Sequence, residues 1–143
     1  MVGPRIFTVR EANSFIPELE SIFNEIDEIK SAIKRVKSKI DVLEILWGEE
    51  IASDNNPDKR EYIHYIEELE KLKDEFDKAT KKIAERECFL KSADSELVDF
   101  YGVIDGRLVL LCYKRGEKSI EFWHHIEAGF AGRQLIPEEV KLS

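Results

Sequence analysis

Apolar residues step by four and three along the first third of the chain without a miss: Phe15, Leu19, Ile22, Ile26, Ile29, Ile33, Val36, Ile40, Leu43 and Trp47. Lys and Glu fill the positions between them, so the stripe reads as a coiled-coil seam rather than a generic amphipathic face. Thr8 and Glu11 have the spacing of a capping box, which predicts a first helix over 8–47. Pro17 falls inside it, where it removes an amide and crowds the carbonyl of Asn13, so a kink or break is expected there. Residues 48–56 reverse the chain, and Asn56-Pro57 offers an N-cap followed by proline at the first helical position. A second helix is therefore expected over 57–91. Its seam runs Tyr62, Tyr65, Leu69, Leu72, Phe76, Ala79, Ile83 and Leu90, with Arg86 as the polar intruder. Neither helix can bury its stripe alone, so a long antiparallel hairpin is expected, with arms on the order of 50–60 Å. Arms of that length exceed what the rest of the chain can wrap, and part of the hairpin is expected to project or to pair with another subunit.

After Lys91-Ser92-Ala93-Asp94 the hydrophobic period drops to that of a strand. Asp105-Gly106 between two apolar runs signals a tight hairpin, and Gly116-Glu117 can make a second one. Two-residue loops at both places give a three-stranded antiparallel meander over 97–124. In that register Asp99 lies opposite Cys112 and Cys112 opposite Glu121, while Phe100, Leu111 and Phe122 share the other, more apolar face. A one-residue slip would undo the assignment. Beyond Trp123 a Gly-rich tail over 125–143 leaves strand periodicity. The reading as a whole is an α+β fold in a single domain: hairpin, meander, tail.

Composition narrows the function classes. A net charge of −8 disfavours wholesale binding to nucleic acid or to an anionic membrane, because the long-range field repels phosphates. The N-terminus lacks a signal-peptide core and no run of apolar residues is long enough to span a bilayer, so a soluble, unsecreted protein is expected. Cys88 and Cys112 have no metal-type spacing and make no disulfide framework, which points to a reducing cytoplasm.

Four blocks carry a resemblance: FTVREANSFIPEL, ELVDF, DGRLVLLCYKRGE and FWHHIEAGFAGRQ. In content and spacing the chain resembles the uncharacterised family known as domain of unknown function 2203, over nearly its whole length. Tyr113 stands where family members usually carry Trp, and their glycine-containing approach to the first strand is fuller. The resemblance implies that Glu11, Asn13, Asp99, Cys112, Trp123, His124, Glu127, Gly129, Phe130, Gly132 and Arg133 occupy motif positions. It brings no established activity.

His124, Glu127 and Asp99 are donors suited to a divalent metal ion, with Glu121 a further carboxylate. His124 and His125, adjacent in a strand, point to opposite faces and do not easily join on one ion. No HExxH or comparable motif is present. Against the metal stands a hydrogen-bonded, half-buried His124 that orients the tail. Arg133 either grips an anion in bidentate fashion or pins the tail through Asp99 or Glu127. Asp99, in the middle of an apolar strand, needs a partner wherever it is buried. Cys112 has a neighbouring base in His124 but no orienting signature for nucleophilic catalysis. The basic run Lys30, Lys34, Arg35, Lys37 and Lys39 is interspersed with seam residues and reads as a solvated coiled-coil face rather than an RNA contact.

Two functions follow. The first is a cytoplasmic interaction module, a homo-oligomer or a binder of a partner protein through the hairpin. The second is a metal- or small-anion-binding protein, with an enzymatic role left open, whose ligand-binding residues are Asp99, Cys112, Trp123, His124 and Arg133.

Overall fold

The computed structural model describes residues 4–91 and 94–142. Its elements are α1 (Val9–Ser14), α2 (Ile16–Trp47), a 3-10 turn (Gly48–Ala52), α3 (Lys59–Glu85), β1 (Phe89–Leu90), β2 (Leu97–Ile104), β3 (Arg107–Lys114), β4 (Phe122–His124), a second 3-10 turn (Phe130–Gly132), β5 (Gln134–Leu135) and α4 (Glu138–Lys141). This is an α+β chain. It divides into two compact units, one formed by residues up to Asn24 with those from Thr80 on, the other by Glu25–Ala79.

In the first unit, β1 to β5 form an antiparallel sheet in sequence order, five strands among the described residues where three were expected. The added strands are the two edges. β1 exists because the helical pattern stops early: α3 ends at Glu85 rather than continuing to residue 91, and Glu87 takes a left-handed φ of 64°. Cys88 is then buried, its thiol donating to the Ile83 carbonyl at 3.3 Å. Phe89 and Leu90 turn onto β2, opposite Asp99 and Val98. The period change expected after Lys91-Ser92-Ala93-Asp94 is followed by β2 at Leu97, while Ser92 and Ala93 lie outside the described residues.

The N-terminal capping box forms in full. The Thr8 amide donates to Glu11 Oε1 at 2.9 Å and the Glu11 amide to Thr8 Oγ1 at 3.0 Å. The helix breaks at Phe15, which caps α1, so Pro17 falls in the first turn of α2 where its missing amide costs nothing. One sheet face, built from Val98, Phe100, Ile104, Val109, Leu111 and Tyr113, is buried. Phe7 and Phe15 close on Phe100 with ring centroids 5.0 and 6.5 Å away. Tyr113, fully buried, donates to the Glu20 carboxylate, which satisfies its hydroxyl. Gly102 is needed on this face: a Cβ there would sit 2.8 Å from the Leu111 Cγ.

In the second unit, Lys39 lies over the Tyr65 ring, Tyr62 donates to Glu44 at 3.3 Å and Trp47 Nε1 donates to Asp58 at 2.8 Å. The Asn56 side chain accepts from the Asp58 amide at 2.8 Å, and α3 starts at Lys59. Among the described residues no helix is long and apolar enough to cross a membrane.

Candidate functional site

The site is built by strand register. Asp105 and Gly106 both take left-handed φ, 51° and 74°, so the β2–β3 loop has two residues and Asp99 lies opposite Cys112. The next connection differs from the sequence reading. Its turn is centred on Arg115 and Gly116, with the Glu117 amide bonded to the Lys114 carbonyl at 3.0 Å and Gly116 at φ 97°. The chain then leaves the ladder to bury Ile120, whose amide donates to Asn13 Oδ1 at 2.7 Å. Strand β4 consequently pairs Cys112 with Phe122, Leu111 with Trp123 and Leu110 with His124. Cys112 opposite Glu121 is thus overturned, by one residue. Because side chains alternate, that slip moves all of β4 to the other face. His124 joins Asp99 and Cys112, while Trp123 goes to the Leu111 side.

Asp99 is 2% exposed and His124 and Cys112 are fully buried. One ligand atom from each lies within 4.8 Å of those of the others, an arrangement of carboxylate, thiol and imidazole. His124 Nε2 is 3.2 Å from Asp99 Oδ1, and its Nδ1 is 2.8 Å from the His125 carbonyl oxygen. A carbonyl only accepts, so Nδ1 carries a proton, and Nε2 faces the carboxylate. The second Asp99 oxygen lies 3.5 Å from Lys91 Nζ.

Burial pushes the Cys112 thiol up to about 11, the Asp99 charge adds to the shift, and neighbouring Arg133 pulls against it. Arg133 Nη2 donates to the Cys112 carbonyl at 3.1 Å and to Glu117 Oε1 at 2.6 Å. Its guanidinium stacks over Phe122 and Phe130, 4.2 and 4.8 Å from their centroids. Its Nε is buried with no hydrogen-bond partner among the described residues.

Of the residues singled out from the sequence, Asp99, Cys112 and His124 converge and Arg133 borders them. Glu127 and Glu121 are exposed and outside the convergent group. Trp123 is half-buried, edge-on to His125 at 4.9 Å. Arg133 pairs with Glu117 instead of Asp99 or Glu127. Sequence reasoning missed Lys91 and Glu117. Glu117 was visible only as a turn residue, and Lys91 was hidden by the helical reading of the segment before it.

A family model described as "Uncharacterized conserved protein (DUF2203)" matches residues 5–136. The chain belongs to this family. The matched span contains every residue of the convergent group, together with Lys91, Glu117 and Arg133. No curated protein and no solved structure matches the chain.

Glu11 and Asn13, two residues near the start of that span, have structural work in the fold. Glu11 closes the capping box, and Asn13 receives the Ile120 amide that sets the β4 register.

Proposed function

We propose that the chain binds a divalent ion of the zinc, cobalt or ferrous class through Asp99, Cys112 and His124. The observation that carries this reading is the approach of Asp99 Oδ1 to His124 Nε2, 3.2 Å apart in a buried site with a thiol beside them. A carboxylate oxygen and an imidazole nitrogen at that distance share a cation, either a proton or a metal ion. Metal–nitrogen and metal–oxygen bonds of about 2.0–2.1 Å at a tetrahedral angle put their ligand atoms about 3.3 Å apart, close to the separation here. A proton would also satisfy the pair; convergence of a third, sulfur donor favours the metal. The mixture of thiolate, imidazole and carboxylate suits borderline ions and not magnesium or calcium, which take oxygen alone. The His125 carbonyl orients the imidazole from behind, as partners of metal-bound histidines commonly do. Arg133 stands beside Cys112, where its charge and its spare Nε–H favour a thiolate. Held by these three residues, such an ion would supply Lewis-acid polarisation. Native mass spectrometry with elemental analysis of protein purified without chelator tests this. One ion per chain is expected; a metal-free protein that takes up neither zinc nor cobalt overturns the reading.

A second reading, self-association or partner binding through the helical arms in a reducing cytoplasm, is favoured by the second unit. The α3 seam residues Leu69, Leu72 and Phe76 are only half-buried, and Val42, Ile45 and Leu46 are exposed on α2. Ile45, at 84% exposed, gains nothing from the fold of one chain. Ile45→Lys with Leu46→Lys is expected to leave the melting temperature unchanged and to shift a sedimenting oligomer to monomer. A wild type that sediments as a monomer at high concentration removes this reading.

A further inference from the structure

We infer that the helical arms pair with a second copy of this chain, α2 of each copy lying along α3 of the other, an inference resting on the second reading above. Charge carries it. Between Ile29 and Ile40 the charged residues of α2 are Lys30, Lys34, Arg35, Lys37 and Lys39, all positive. From Glu61 to Glu70, α3 carries Glu61, Glu67, Glu68 and Glu70 and neither Lys nor Arg. Lys34, Arg35, Lys37, Glu67, Glu68 and Glu70 are all exposed. Among the described residues only Glu68 of these six makes an ion pair, at 3.9 Å to His64 on its own helix. Two exposed runs of opposite sign thus face outward with their charges unspent inside one chain.

The runs lie at one level of the arms. Trp47 meets Asp58, Glu44 meets Tyr62 and Lys39 covers the Tyr65 ring, so contacts advance along α3 as they go back along α2. Continued at that step, residues 34–37 come level with residues 67–70. A copy related by a two-fold axis along the arms sets its positive run over this negative run, and its negative run over this positive one. Both contacts attract, as charges flanking a coiled-coil seam do when they select a partner. An axis across the arms at that level lays like charges on each other and is disfavoured. Apolar surface points the same way. On α3, Tyr62, Tyr65, Leu69 and Phe76 are only half-buried, although Val36, Ile40 and Leu43 of α2 are buried. The α3 stripe is wider than one α2 covers, and a second α2 completes a four-helix bundle.

A charge-swapped chain tests this, carrying Lys34→Glu, Arg35→Glu and Lys37→Glu together with Glu67→Lys, Glu68→Lys and Glu70→Lys. The swap keeps the net charge and the apolar seams, and the two runs of one chain stay opposite in sign. Native mass spectrometry of wild type mixed and equilibrated with the swapped chain separates the dimers by mass. Each chain is expected to pair with itself, leaving the mixed dimer below about a tenth of all dimers, against about half for random assortment. Random assortment, an excess of mixed dimer, or a swapped chain that does not dimerise overturns the α2-on-α3 pairing and leaves self-association standing. A monomeric wild type overturns both. Salt supplies a measurement that needs no variant: the wild-type dimer should dissociate about tenfold more readily in about 0.5 M than in about 0.05 M sodium chloride. A dimer unaffected or tightened by salt overturns the pairing.

Discussion

His124→Ala is expected to weaken zinc binding on the order of a thousandfold, about 4 kcal/mol, while His125→Ala changes it less than about threefold. Adjacent histidines give this contrast because they serve the site in different ways. His124 contributes its ring, buried between Asp99 and the His125 carbonyl. His125 contributes that carbonyl, which alanine retains; its ring stands outside, against Trp123. Isothermal titration with zinc measures both. Equal losses, or none, would dismiss the arrangement described here. Since His124→Ala also opens a cavity, Cys112→Ser serves as a nearly isosteric control, expected to weaken zinc binding and keep the fold.

The pH dependence follows from the same thiol. Cys112, held at about 11 by burial and the Asp99 charge, is protonated in the metal-free protein at neutral pH. On the metal reading proposed above zinc would take the thiolate, so one proton would leave for each ion bound. Raising the pH lowers the cost of that proton, and affinity should rise about tenfold per pH unit between about pH 6 and 8. Cys112→Ser, with no ionising group, should remove this component of the slope.

Phe100→Ala is expected to destabilise the protein by about 3–5 kcal/mol, a large part of the stability of an ordinary domain. Phe100 is fully buried, and its ring meets Phe7 at 5.0 Å and 74° and stacks with Phe15 at 6.5 Å. It also anchors the N-terminal segment, whose Phe7 amide donates to the neighbouring Tyr101 carbonyl at 2.8 Å. Removing the ring leaves a cavity lined by aromatic edges that cannot collapse without moving the segment before α1. Urea unfolding followed by tryptophan fluorescence gives the number. Tyr101→Ala, on the opposite sheet face and half-buried, is expected to cost less than half as much. A Phe100→Ala loss below about 1 kcal/mol would mean that the aromatic cluster is not the core of this unit. Phe100 and Asp99 alternate across the strand, so Phe100→Ala should keep stoichiometric zinc under native conditions.

Features set by interactions within a few residues were legible in the chain. Thr8 and Glu11 bond to each other across three positions, and Asp105-Gly106 accepts the left-handed conformations a two-residue hairpin requires, so the capping box and the Asp99–Cys112 pairing needed no distant partner. The period change from helix to strand separated the helical and sheet segments for the same reason. What only the tertiary structure decided was the face on which His124 lies. Gly116 permits more than one turn, and the choice was made by Asn13, 107 positions away, which takes the Ile120 amide while Ile120 enters the core. That contact shifts β4 by one residue, replaces Glu121 with His124 beside Asp99 and Cys112, and sends Trp123 to the other face. Lys91 entered the site similarly, once burial of Cys88 ended α3 at Glu85 and released a short edge strand. Alternation turns a one-residue change of register into a complete exchange of faces, and the energy that sets the register comes from burying Ile120 and pairing its amide, neither of which is local to the turn.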